Sequence, residues 1–77
     1  MDTKLAEVVL HIDESTSHDE REKFRDVVLA MGGVMAADCN DKTPHLMLIE
    51  YNPDAVNSIE FVNAAKEHGL HAELAGL

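Results

Sequence analysis

Positive charge is scarce in this sequence. Six lysines and arginines face fifteen aspartates and glutamates, leaving a net charge of −9 over 77 residues. Such a field repels phosphate backbones and anionic lipid, so it argues against nucleic-acid and membrane-surface partners. Cations and basic protein surfaces are the favoured ones. Cysteine is nearly absent: Cys39 stands alone, cannot close an internal disulfide, and leaves no even set of the kind that staples small secreted domains. The expectation is therefore a cytoplasmic protein. Long apolar runs are missing as well. Residues 27–37 form the longest, too short for a bilayer and broken by Gly32 and Gly33, while Glu7 interrupts any signal-peptide core near the start. No Gly-x-Ser-x-Gly, phosphate-binding glycine loop or paired histidine and cysteine motif occurs, so no catalytic set is expected and the chain reads as non-enzymatic.

What remains is an ordinary globular composition, with 45% hydrophobic and 27% charged residues. A chain of 77 residues holds one small core, so residues 1–77 are expected to form a single domain. Val8, Leu10 and Ile12 alternate with Glu7, His11 and Asp13, the pattern of a half-buried strand over residues 7–13. Phe24, Val27, Val28 and Met31 then fall on one stripe of a helix spanning 18–31, started by a capping box of Ser17 and Glu20. Gly32-Gly33 ends it. A short strand is expected over 34–39, a turn-rich connection over 40–44 and a strong strand over 45–51. Asn57 with Glu60 offers a second capping-box-like start before Phe61, Val62 and Ala65; Gly69 closes that helix, and residues 71–74 read as a last strand.

Two β-α-β units with right-handed crossovers predict an α+β, ferredoxin-like βαββαβ sandwich: four antiparallel strands with both helices on one face. With Met47, Ile49 and Tyr51 pointing inward, alternation assigns Val9, His11, Leu46, Leu48, Glu50, His71 and Glu73 to the opposite, open face.

The order of elements, the Gly33-Val34 junction, the Tyr51-Asn52-Pro53 step and the Gly69-Leu70 closure together resemble the heavy-metal-associated domain family over nearly the whole chain. That family comprises soluble copper chaperones and the metal-binding modules of metal-pumping ATPases. The resemblance implies a metal motif, Met-x-Cys-x-x-Cys, at the first strand-to-helix loop, where its two cysteine positions fall on Ser17 and Glu20. Cu(I) demands thiolate or thioether ligands, which a hydroxyl and a carboxylate do not replace. The same two residues are accounted for by the helix cap.

Zinc, nickel or copper(II) accept imidazole and carboxylate, and five histidines supply imidazole. One candidate set is His11, His71 and Glu73 on the open face, if the first and last strands pair. The other is His18 with Asp13, Glu14 and Asp19, although a helix N-terminus opposes a cation and suits these acids as dipole partners. Interaction candidates are the apolar Val9, Leu46 and Leu48 on the open face and the acidic Asp19, Glu20 and Glu22 at the helix start, for a basic protein partner or a second copy. Cys39 reads as a small half-buried hydrophobe. The favoured reading is a binding protein whose thiolate site is lost. A metal carrier with histidine and carboxylate ligands is the alternative, and a small-molecule sensor a third class without a residue signature.

Overall fold

The computed structural model describes residues 4–75. The elements follow the expected order: β1 (Ala6–Ile12), α1 (His18–Leu29), β2 (Val34–Asn40), β3 (Thr43–Tyr51), α2 (Ile59–Glu67) and β4 (Ala72–Ala75). The strands form one antiparallel sheet in the order β2-β3-β1-β4. Both helices cover one face, because the apolar stripe of each must leave water against the apolar side of the sheet. Phe24 and Val28 of α1 and Phe61, Ala64 and Ala65 of α2 meet Val8, Leu10, Ile12, Met47, Ile49 and Tyr51 there, all buried. Tyr51 and Phe61 lie edge to face at 5.2 Å, an arrangement that aromatic quadrupoles favour. Among the described residues no helix is long and apolar enough to cross a membrane.

Several boundaries differ from expectation, β1 among them, which runs one residue earlier at each end than the expected 7–13. Helix α1 ends at Leu29, so Met31 packs on the core from the turn that follows the helix. The connection over 40–44 is shorter than its composition suggests, because Asn40 pairs with Thr43 and only Asp41 and Lys42 turn. Asn40 makes this tight reversal by accepting a hydrogen bond from the Lys42 N–H through its side chain, the Asx geometry that mimics a backbone turn. Pro44 is then tolerated inside β3 because it precedes the β1–β3 ladder, whose pairing reaches only Leu46 opposite His11. Strand β4 begins at Ala72, one residue later than expected, which leaves His71 outside it.

Helix α2 starts on a modified box. The Glu60 carboxylate accepts from the Asn57 N–H at 2.7 Å, while the Asn57 side chain accepts from Ile59 at 3.1 Å and not from Glu60. Gly33 has φ +95, and a Cβ there would stand 2.7 Å from that of Ala55. Only glycine fits this junction, which brings the Asn52 N–H onto the Gly33 carbonyl at 2.7 Å.

Candidate functional site

All five histidines gather at one end of the sandwich, where β1 and β2 finish and β3 and β4 begin. His11 lies one residue from the end of β1, His45 near the start of β3, His18 opens α1, His68 caps α2, and His71 immediately precedes β4. The same end carries the β1–α1 loop, the position at which the resemblance places a metal motif.

That loop is closed by its own hydrogen bonds. The Ser17 hydroxyl accepts from the Glu20 N–H at 3.2 Å, and the Glu20 carboxylate accepts from the Ser17 N–H at 3.3 Å. These bonds satisfy bare donors of the first helical turn. Arg21, the one cation among the acids Asp19, Glu20 and Glu22, is buried at 7% exposure. It donates to the Thr16 carbonyl and, at 2.7 Å, to Asp41 of the β2–β3 hairpin. His18 turns its two ring nitrogens to Asp41 at 2.9 Å and to Glu22 at 3.1 Å. The Asp41 hydrogen bond, then the charges of Asp41 and Glu22, raise the His18 pKa, and the His18 and Arg21 hydrogen bonds lower that of Asp41. Both ring nitrogens face carboxylates, and the raised pKa favours the protonated ring, which has no lone pair for a metal. His18 therefore joins Asp41 and Glu22, and the expected set with Asp13, Glu14 and Asp19 is not formed. A soft Cu(I) ion finds neither thiolate nor thioether at Ser17 and Glu20, so these residues do not fit the family's ion.

The second expected set is corrected in one member. His11 and Glu73 are register partners across β1 and β4, as proposed. His71, one residue before the strand, instead binds Glu14, which accepts from its backbone N–H at 2.7 Å and from its ring at 2.5 Å. This bond pushes His71 up and Glu14 down from their ordinary values. Asp13 takes its place. Its backbone N–H donates to the His71 carbonyl at 2.8 Å, extending the pairing past β1, and its carboxylate stands 3.3 Å from His11 Nδ1. Glu73 stands 4.0 Å from the same nitrogen. One ligand atom from each of His11, Asp13 and Glu73 lies within 4.8 Å of the others.

The apolar candidates behave as alternation predicts. Val9 pairs with Leu48 and His11 with Leu46, so Val9, Leu46 and Leu48 share the open face, where they line a shallow hollow with Asp38, Cys39, Asn40 and Thr43. Leu46 is 39% exposed. Cys39 is free and half-buried, packed against the core as a small hydrophobe. Of the acidic candidates on α1, Glu20 is taken by the cap and Glu22 by His18, which leaves Asp19 exposed.

Solved structures share this fold across nearly the entire chain. Oxidized MerP from Ralstonia metallidurans CH34 matches with a TM-score of 0.85 and 12% identity, over 95% of this chain and 100% of that one. The N-terminal domain of a potential copper-translocating P-type ATPase from Bacillus subtilis, in its Cu(I)-loaded state, gives 0.85 and 19%, over 95% and 90%. The CopZ metallochaperone gives 0.79 and 15%, over 88% and 100%. No family model and no curated protein matches the sequence. At such identities the likeness is one of architecture: the chain has the heavy-metal-associated form of the ferredoxin-like sandwich.

Proposed function

We propose that this domain is a non-enzymatic, cytoplasmic interaction module that docks a basic protein surface with an apolar centre on the open face of its sheet. One observation carries the reading. Glu7 and Glu50 stand directly opposite each other across β1 and β3, an arrangement that costs stability in a free sheet. They border Val9 and Leu48, with Asp38 beside Leu48 on β2 and Glu73 beside His11 on β4. No lysine or arginine occurs in any of the four strands. A face with an apolar middle and an acidic rim matches a partner of the opposite pattern, and lysines placed over Glu7 and Glu50 would relieve their repulsion. A second copy of the chain would set acidic rim against acidic rim.

The copper and metal roles named for the structural neighbours do not transfer through the loop, since its two cysteine positions are Ser17 and Glu20. Non-enzymatic character is supported by the lack, among the described residues, of a nucleophile beside a base. Cys39, the one thiol, packs as a hydrophobe.

Titration of 15N-labelled protein with an amphipathic helical peptide of lysine and leucine tests the reading. Amide shifts confined to Val9, Leu46, Leu48 and Glu50 are expected, weakening as salt rises and abolished by Leu46→Asp with Leu48→Asp. Shifts centred on Asp19 and its helix, no shifts at all, or a concentration-dependent dimer without peptide would each overturn it.

A further inference from the structure

The open-face reading takes Glu73 only as one charge of an acidic rim, and the corner where β1 meets β4 also brings a set of ligands together. His11 Nδ1 is shut off from solvent yet has no hydrogen-bond partner among the described residues. Asp13 approaches it to 3.3 Å, but without the alignment of a hydrogen bond, and Glu73 lies beyond at 4.0 Å. A nitrogen excluded from water normally finds a donor or acceptor. Here two carboxylates stand within 4.0 Å of it, and they only accept when ionised.

We propose that His11, Asp13 and Glu73 form a binding site for a borderline divalent cation of the Zn2+, Ni2+ or Cu2+ class. Geometry supports this on three counts. The ligands ride on paired backbone: His11 and Glu73 are opposed in register, and Asp13, two residues along the same strand direction, is held by its bond to the His71 carbonyl. Positions two apart on a strand project to the same side, so the three side chains converge without a loop to order. Separations also suit the ion. Tetrahedral ligands about 2.0–2.1 Å from a zinc ion lie roughly 3.3 Å apart. The His11–Asp13 pair is already there at 3.3 Å, and no two ligand atoms of the set are more than 4.8 Å apart. Asp13 and Glu73 are mostly exposed, with side chains 62% and 75% accessible, so small rotations close the gap at little packing cost.

Chemistry selects the class. One imidazole and two carboxylates suit zinc, nickel or copper(II), and they do not suit Cu(I), which needs sulfur. Asp13 and Glu73 also line a hollow of about 390 Å3 beside α2, which gives access and leaves a coordination position for water or a partner's side chain. Lys66 lines the same hollow; its charge opposes the cation, though two carboxylates and the −9 of the whole chain outweigh it. The site lies apart from the capped Ser17–Glu20 loop and uses none of its groups.

Native mass spectrometry of the full chain with Zn(II), Ni(II) and Cu(II) in turn, beside isothermal titration, decides the matter. One ion per chain is expected, with affinity falling at least about tenfold in His11→Ala, Glu73→Gln and Asp13→Asn, since even outer-shell changes cost ten- to hundredfold. A Glu67→Gln variant removes one negative charge from the exposed end of α2, away from the corner, and should keep the ion. Backbone amide spectra establish that each variant is folded, and Asp13→Asn keeps the shape of the side chain it replaces. Metal-free chains with all three ions, or uptake that survives His11→Ala and Glu73→Gln alike, would overturn the site. Failure of the lysine and leucine peptide to bind bears on the open face alone.

Discussion

Around the start of α1 charges meet their opposites, whereas on the open face of the sheet like stands against like. Arg21 and His18 converge on Asp41, and Ser17 and Glu20 close on each other's N–H groups. A few residues away Glu7 faces Glu50, like charge against like, and His11 Nδ1 lies out of solvent without a hydrogen bond. Satisfied polar groups of the first kind stabilise a fold. Unsatisfied groups of the second kind cost it something, and they await a counter-charge from outside. The contrast is most informative because the satisfied corner is the place where a family of this architecture is expected to hold its ion. In this chain that corner works as a structural tie between α1 and the β2–β3 hairpin, and the unpaired charge stands on the strands.

The largest expected effect therefore belongs to the tie. Arg21→Ala strips a buried carbonyl, Thr16, of its donor and removes the packed stem of the arginine. A loss of about 2–3 kcal/mol in urea unfolding is expected, because a buried hydrogen bond to a charged group carries that order of free energy. A loss under about 0.5 kcal/mol would place Arg21 with ordinary surface residues and dissolve the contrast. Ser17→Ala should cost about 1 kcal/mol, the usual worth of an N-cap. Its double variant with Glu20→Ala should cost little more than the single one, since the two bonds form one reciprocal box.

How much of this was legible depended on the distance over which each feature is determined. The capping box is written in four consecutive residues, Ser17 to Glu20, and the inward sets Val8, Leu10, Ile12 and Met47, Ile49, Tyr51 follow from alternation alone; all six are buried. The open-face placement of Val9, Leu46 and Leu48 followed for the same reason. Arg21 was not legible, because its burial is decided by Asp41, twenty residues on and across the hairpin. His71 was misplaced because alternation was extended one residue past the true start of β4; its N–H is taken by Glu14, and the strand begins only at Ala72. Asp13 is a different case: alternation sets it on the face of His11, but β1 ends at Ile12, and a second bond, from the Asp13 N–H to the His71 carbonyl, keeps it on the strand line.

The open face should respond in the opposite sense. Glu7→Gln with Glu50→Gln removes a like-charge cross-strand pair, so the free protein should become more stable by about 0.5 kcal/mol or less. The same change should weaken binding of the lysine and leucine peptide and flatten its salt dependence. A substitution that stabilises the chain while weakening its binding marks a surface kept for a partner. If stability falls, the two glutamates support the sheet and the open face resembles the α1 corner after all.

The smallest effect is a pH dependence confined to the corner. His18 has its pKa raised above 6.5 by Asp41 and Glu22, so the folded state binds its proton more tightly than the unfolded chain. Its contribution is fully present below about pH 6.5 and is lost as pH rises through the raised folded value. Asp41 is lowered from 3.8 by His18 and Arg21, so its contribution is present above 3.8 and is lost as pH falls through the depressed value. Between those limits both charges stand, and the tie is strongest. Above them Arg21 still holds Asp41, so the loss at the alkaline side is partial. Urea midpoints of the native chain and of His18→Gln, compared at about pH 5.5 and about pH 9, should differ more at the lower value. A difference that does not change with pH would mean that His18 carries no extra proton in the folded state, and that Arg21 alone ties the hairpin to α1.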